Sequence, residues 1–103
     1  MRNMNDILRQ AQVMQQKLSK LQQEAAGRVY EASSGGGMVK AEVSGKQDLV
    51  RLTIAPQALE GGDVEMLQDL IVAAVNEAGR IARDTLEREM NAISGGIRIP
   101  GML

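Results

Sequence analysis

The stretch that decides the fold is Gly35-Gly36-Gly37-Met38-Val39-Lys40-Ala41-Glu42-Val43-Ser44-Gly45. It opens with three glycines, continues with apolar and polar side chains in alternation, and closes at another glycine. Alternation with a period of two is typical of a β-strand, and glycine supplies the positive φ angles that tight connections need. The stretch therefore predicts an antiparallel strand with a turn at each end.

A second alternating run follows this stretch. Val50, Leu52 and Ile54 alternate with polar residues, and Pro56 ends the run because proline cannot donate to a sheet ladder. Residues 28–54 are thus expected to form three antiparallel strands. No Gly-Lys-Ser/Thr follows the three glycines and no helix begins there, so a hairpin turn is favoured over a phosphate-binding loop.

Before the sheet, apolar residues recur at three- and four-residue steps between Asn3 and Ala26, uninterrupted by Gly or Pro. They are Met4, Ile7, Leu8, Ala11, Met14, Leu18, Leu21 and Ala25. This spacing predicts a long amphipathic helix that can pack along another long helix as well as on a sheet. Gly27 is the expected stop, since a glycine just past the last turn can take the left-handed conformation.

A second long helix is predicted after the sheet, with Asp63 as its N-cap and Ser94-Gly95-Gly96 as its end. Its apolar stripe consists of Val64, Leu67, Leu70, Ile71, Ala74, Val75, Ala78, Ile81 and Ala82. The last turns are expected to project past the sheet, where another chain can meet them. Residues 1–103 are read as one domain, and residues 97–103 as a flexible tail.

Composition excludes several classes of function. The chain has no Cys and no His, so a conventional zinc site and the usual nucleophile–base pairs cannot be assembled. Tyr30 is the only aromatic residue, which argues against proteins that stack single-stranded bases on aromatic rings. With no signal peptide and no long apolar run, a cytoplasmic protein without membrane contact is expected.

Charge is segregated along the chain although the net charge is only -1. Residues 1–30 carry more basic than acidic side chains, whereas residues 60–89 carry a large acidic excess. The N-terminal segment is therefore the candidate phosphate-facing surface.

The glycine-rich stretch quoted above, the later Leu52-Thr53-Ile54-Ala55-Pro56, and the second helix around residues 67–78 resemble the YbaB/EbfC family of bacterial nucleoid-associated proteins. The resemblance implies an α+β fold: a helix, a three-stranded antiparallel β-meander and a long helix, assembled as a tweezer-like homodimer. It further implies DNA binding by the helices and no enzymatic activity. The family has no compact binding motif to carry over, so candidate residues must come from charge geometry.

At about 100° per residue, four polar residues of the first helix fall within roughly 40° of one another, opposite the apolar stripe. They are Arg2, Arg9, Gln16 and Lys20, and Lys17 lies about 60° further round. Arg2, Arg9, Lys17 and Lys20, here called the basic ridge, are the candidate phosphate contacts. The alternative is an ordinary solvated helix face, which the flanking Asp6 and Glu24 favour.

Arg80 and Arg83 on the second helix are secondary DNA-binding candidates. They stand among acidic residues, and the pairs Asp84–Arg88 and Arg83–Glu87 have the spacing of helical ion pairs, so a salt-bridged surface is the alternative. The sequence is therefore interpreted as a nucleoid protein that binds double-stranded DNA through its backbone as a homodimer. No cofactor, metal or small-molecule substrate is expected, and the rival hypothesis is a protein-interaction adaptor that does not bind DNA directly.

Overall fold

The structure, a computed structural model, describes residues 3–95 and has the predicted α+β order. A first helix precedes a three-stranded antiparallel sheet, and a longer helix follows it. The elements are α1 (Met4–Ala26), β1 (Val29–Ser34), β2 (Val39–Ser44), β3 (Leu49–Ile54) and α2 (Val64–Ser94). Residues 97–103, predicted as a tail, lie outside the described part of the chain.

The sheet is a meander with β2 at its centre. Gly35–Gly37 form the turn between β1 and β2, with φ angles of 61°, 67° and 97° that glycine adopts without strain. The register pairs Ala32 with Ala41. The predicted alternation of β2 is confirmed, since Val39, Ala41 and Val43 are buried while the residues between them are partly exposed.

Both helices begin at a side-chain cap. The Asn3 side-chain oxygen accepts a hydrogen bond from the Asp6 N–H at 3.0 Å, and the Asp63 carboxylate accepts one from the Met66 N–H at 3.0 Å. Gly27 ends α1 as predicted, but it does not take the left-handed conformation that is open to glycine there. Its φ is -88° because its N–H still bonds to carbonyls of the last helical turn.

α2 covers β1 and β2 and completes the core. Ala74, Ala78 and Ala82 face the sheet and are at most 1% exposed, so the helix backbone lies close to the strands. Ser34 at the end of β1 donates its hydroxyl hydrogen to the Leu70 carbonyl at 2.6 Å. The stripe predicted for α2 is confirmed except at its first residue, which is exposed in the opening turn of the helix.

β3 has an exposed apolar side. The strand is present as predicted, but Leu49, Val50 and Leu52 are 49%, 57% and 36% exposed, and only Ile54 is half-buried. α2 packs on the other two strands and leaves this edge bare. An apolar edge strand without a cover is a surface that folded proteins normally pair or protect.

α1 packs mainly on α2, which is one of the two kinds of partner expected for its apolar face. Leu21 and Ala25 are buried and Met14 and Leu18 are half-buried, whereas the first ten residues of the helix are exposed. The turn after β2 lies directly against the end of α1, since a Cβ on Gly45 would lie 1.9 Å from the Ala25 carbonyl oxygen. The C-terminal half of α1 is thus held against the body, and its N-terminal half is not.

The last turns of α2 lie beside α1 of the same chain. Leu86, Met90 and Ile93 are half-buried, and Arg28 donates to the Glu89 carboxylate at 2.6 Å. That hydrogen bond raises the pKa of the Arg28 guanidinium above its ordinary value. The turns expected to reach another chain therefore already have a helical neighbour.

Candidate nucleic-acid interface

The basic ridge lies on α1 and reaches solvent along its length. Arg9, Lys17 and Lys20 are all exposed. At about 100° per residue, Arg9 and Lys20 lie on the side of the helix away from Ala25, whereas Lys17 lies nearer to the buried Leu21. Arg2, the first member, lies outside the described residues. At a rise of 1.5 Å per residue, Arg9 and Lys20 are about 16 Å apart along the helix, so they can meet phosphates several nucleotides apart.

No ion pair within residues 3–95 engages Arg9, Lys17 or Lys20. Their positive charges are therefore not neutralised by a neighbouring carboxylate of the described chain. Because these cations are exposed and have no ion-pair partner in the described residues, no ion pair of the described chain has to break before they meet a phosphate. This is the arrangement that sequence-independent phosphate contacts use.

Arg80, unlike Arg9, Lys17 and Lys20, is paired with carboxylates. Its guanidinium donates to both oxygens of the Glu77 carboxylate and to Asp84 Oδ2, the last at 2.8 Å. The Glu77 hydrogen bond is the main cause that raises the pKa of Arg80, and the same bond lowers the pKa of Glu77 below its ordinary value of 4.5. Two carboxylates thus flank Arg80 and compensate its positive charge. Arg80 therefore attracts a phosphate less strongly than a cation without such partners does.

The ion pairs predicted for α2 were wrong in their partners. Arg83 donates to the Gln47 side-chain oxygen at 3.3 Å instead of pairing with Glu87, and Arg88 donates to Thr85 at 3.5 Å instead of pairing with Asp84. Asp84 pairs with Arg80, four residues earlier in the helix. This explains why Asp84 does not pair with Arg88. Arg83 therefore faces the turn between β2 and β3, and Arg80 forms ion pairs with Glu77 and Asp84.

The apolar edge of β3 is a feature that sequence reasoning missed. Leu49, Val50 and Leu52 form an exposed row on the strand that α2 does not cover. The sequence contained a signal for this exposed edge. Three strands were predicted, and the heptad-like spacing of α1 favours packing on the other helix instead of on the sheet. Only one helix was then left to cover the sheet, and one helix cannot cover three strands.

Within residues 3–95, no group of three or more acidic, His or Cys side chains is arranged to hold a metal ion. The described helices include none long and apolar enough to cross a membrane.

The chain is similar to known proteins along almost its whole length. A family model described as the YbaB/EbfC DNA-binding family matches residues 1–97. A nucleoid-associated protein of Moorella thermoacetica is 50% identical over 101 residues, covering 98% of this chain and 97% of its own. One from Pelotomaculum thermopropionicum is 45% identical over 100 residues, covering 97% and 95%.

Among solved structures, an uncharacterized protein from Helicobacter pylori superposes with a TM-score of 0.70 at 24% identity. The match covers 85% of this chain and 92% of the other. At this level of identity the likeness concerns the fold.

Proposed function

The chain belongs to the YbaB/EbfC DNA-binding family, and on this premise we propose that it is a nucleoid-associated homodimer that binds duplex DNA mainly through the phosphate backbone. Its sequence selectivity is weak, and it acts in the nucleoid on DNA organisation and gene expression. The observation that carries the proposal is the set of exposed cations on α1, Arg9, Lys17 and Lys20, which have no ion-pair partner within residues 3–95.

Phosphate contact follows from the chemistry of the basic ridge. Lys and Arg side chains on one helix face release condensed counterions when they meet phosphates, and this release drives binding without reading the sequence. Arg9, Lys17 and Lys20 have no carboxylate partner in the described chain to satisfy first. Base reading needs a defined set of side chains aimed at base edges, and the ridge presents long flexible cations instead.

Dimerisation is supported by the bare edge of β3. Leu49, Val50 and Leu52 leave apolar area in water, and the strand edge leaves backbone groups unpaired. A second copy that binds to the same edge buries the apolar side chains and pairs the backbone groups, since a two-fold interface is formed by the same surface of each subunit. Two α1 helices then project from a joined central sheet in a tweezer-like form, and the two ridges act on one duplex.

The DNA-binding test uses a double charge reversal. Arg9→Glu with Lys20→Glu replaces two phosphate contacts by two repulsive charges and is expected to abolish the shift of a duplex in an electrophoretic assay. The parent protein should lose affinity with salt at a log–log slope of about -0.9 per phosphate neutralised. The assay is run with unrelated duplexes at two salt concentrations to separate backbone contact from base reading.

The matched control is Lys46→Glu with Arg88→Glu, which changes the net charge equally at exposed positions off the ridge. It is expected to retain most of the affinity. Undiminished binding by the ridge variant would refute the assignment of the ridge. Equal loss in both variants would indicate a general effect of net charge, and no shift by the parent protein would favour the adaptor hypothesis.

The dimer test uses two valines of equal exposure. Val50 on β3 and Val72 on the outer side of α2 are both 57% exposed, so a change to Glu costs either one little in a monomer. Light scattering of the parent should give twice the chain mass. Val50→Glu is expected to yield a folded monomer and Val72→Glu to remain dimeric. A Val50→Glu dimer as stable as the parent would place the interface elsewhere.

A further inference from the structure

The apolar stripe of α1 is exposed along the N-terminal half of the helix. Met4, Ile7 and Leu8 are 68%, 51% and 53% exposed, and Ala11 continues the row. These four residues, here called the bare stripe, lie on the side of the helix opposite Arg9. Several large apolar side chains adjacent on one helix face mark an interaction surface.

The bare stripe continues a row of residues that already packs on a helix. Met14, Leu18, Leu21 and Ala25 have the same three- and four-residue spacing, and they are buried or half-buried where α1 packs on α2. One heptad-like pattern therefore runs through both halves of α1. Because that pattern fits a helical neighbour in the second half, a helix is also the occupant that fits the bare stripe.

The residues that border the bare stripe carry no charge. Asn3 and Gln10 lie along one side of it, and Gln15 lies along the other side beyond Leu8. In helix pairs, charges at these bordering positions select the partner and its direction. A charged partner helix finds no opposite charge here, whereas a second copy of α1 meets no repulsion. A second copy is therefore the favoured occupant.

The spacing of the row also favours a direction. Met4, Ile7, Ala11 and Met14 follow one another at steps of three, four and three residues, so the row is the same read from either end. Two copies in opposite directions place Met4 opposite Met14 and Ile7 opposite Ala11. A large side chain then packs against a small one, which lets the two helices approach closely.

We infer that the bare stripes of copies from two separate dimers pair in this antiparallel way, and that the pair bridges two DNA duplexes. Arg9 and Lys20 lie on the side of α1 opposite the bare stripe, so the pairing turns the two basic ridges in opposite directions. A helix with its side chains is about 10–12 Å across, so the two ridges lie about 20 Å apart on outer faces. Each ridge therefore meets a different duplex. The inference rests on the proposed contact between ridge and phosphates and adds a second duplex to it.

The pairing is weak without DNA because the paired row is short. From Met4 to Met14 is about 15 Å along the helix. A contact of that length buries much less than the roughly 1,600 Å² of a standard protein–protein interface. Free dimers at micromolar concentration therefore stay separate. Dimers bound along two aligned duplexes are held at a high effective concentration, and several weak helix pairs act together.

A duplex-capture assay tests the inference. One duplex is fixed to beads, the protein is bound to it, and the retention of a second, fluorescent duplex is measured. The parent protein is expected to retain the second duplex. Ile7→Gln is expected to lower this retention by about fivefold or more, because it places an amide in the paired row without a change in charge. Its affinity for a single short duplex should equal that of the parent.

Val13→Gln is the matched control. Val13 is 43% exposed and also lies on α1, but it is on the side away from the bare stripe. The same substitution there should leave both the retention and the single-duplex affinity unchanged.

Equal retention by the parent and Ile7→Gln would overturn the inference, because the bridge would then come from the two ridges of one dimer. Single-duplex binding by the parent without retention of a second duplex would also overturn it and would leave the bare stripe to a partner of different sequence. Failure of the parent to bind a single duplex would instead refute the proposed function, and the inference with it.

Disulfide formation tests the direction of the pair, because the chain contains no Cys. Proteins carrying Ile7→Cys or Ala11→Cys are oxidised on DNA, separately and as a mixture, and analysed by non-reducing electrophoresis. The mixture is expected to form cross-linked chain pairs faster than either variant alone, since Ile7 lies opposite Ala11 of the second copy only in the antiparallel pair. Faster cross-linking of either variant by itself would overturn the antiparallel arrangement.

Discussion

The two helices are alike in sequence pattern and opposite in environment. Both are long and amphipathic, and both carry basic side chains on the face away from the apolar stripe. In α2 the stripe is buried under the sheet, and Arg80 is held by two carboxylates of its own helix. In the first half of α1 the stripe is bare, and Arg9 and Lys17 have no ion-pair partner in residues 3–95.

The difference teaches that a count of charges or apolar residues does not define a binding surface. The same arginine is available to a phosphate or already neutralised, depending on the residues three and four positions away. Likewise, an apolar stripe is core only where something covers it. α2 therefore serves mainly to form the core, whereas α1 has exposed cations and exposed apolar side chains that can contact partners.

The largest effect is expected at the junction that holds α1 to the body. Gly45→Ala would place a Cβ 1.9 Å from the Ala25 carbonyl oxygen, so the end of α1 must move away. We expect a loss of about 3 kcal/mol or more in the free energy of unfolding, the upper range for overpacking. Urea unfolding followed by circular dichroism measures it.

Gly27→Ala is the control for this change. A Cβ on Gly27 meets only the Glu24 carbonyl oxygen at 3.7 Å, and its φ of -88° suits any residue. Its effect should lie within about 0.5 kcal/mol. Equal stability of the two variants would mean that the turn after β2 does not press on α1.

Much of the fold was predictable from sequence because its signals are local. The three glycines, the alternation around Ala41 and the cap at Asp63 each fix a short segment by backbone geometry, and each was confirmed. The cover of β3 was not predictable in the same way. Val50 alternates in the sequence as regularly as Ala41, but the register of β3 shifts beside Val50 and α2 packs on β1 and β2, so Val50 is exposed and Ala41 is buried.

The candidate site was less predictable for a related reason. Helical spacing placed Arg80 and Arg83 near several carboxylates, but rotamers and competition decided which pair formed. Asp84 binds Arg80, and Arg83 turns to Gln47 across the fold, a contact separated by 36 residues in the chain. The close approach of Gly45 to Ala25 has no sequence signal beyond the presence of a glycine.

A smaller effect distinguishes the two halves of α1. Leu21 is 8% exposed and Leu8 is 53% exposed, so truncation to Ala removes a packed side chain in the first case and a largely hydrated one in the second. Leu21→Ala should cost about 2 kcal/mol or more, and Leu8→Ala less than about 1 kcal/mol. Chemical unfolding of both variants checks this. Equal costs would show that the N-terminal half of α1 is covered as completely as its C-terminal half.

The smallest effect concerns the charge environment of α2. The hydrogen bond from Arg80 lowers the pKa of Glu77, so this pair stabilises the folded protein above the ordinary pKa of a glutamate. The contribution is lost as the pH falls through the lowered folded-state pKa of Glu77, where the carboxylate becomes protonated. Because both groups are exposed, solvent screening keeps the contribution small.

Arg80→Gln removes the donor that lowers this pKa, so the Glu77 carboxyl should titrate at a higher pH than in the parent, close to its ordinary value of 4.5. The side-chain carboxyl carbon shift of Glu77, followed by NMR across the acid range, measures the change. Arg88→Gln is the matched control, since Arg88 bonds to Thr85 and not to Glu77. A Glu77 titration unchanged by Arg80→Gln would mean that the guanidinium is not held by its own helix. Arg80 would then be as available to phosphate as Lys17, and the contrast between the two helices would fail at its electrostatic point.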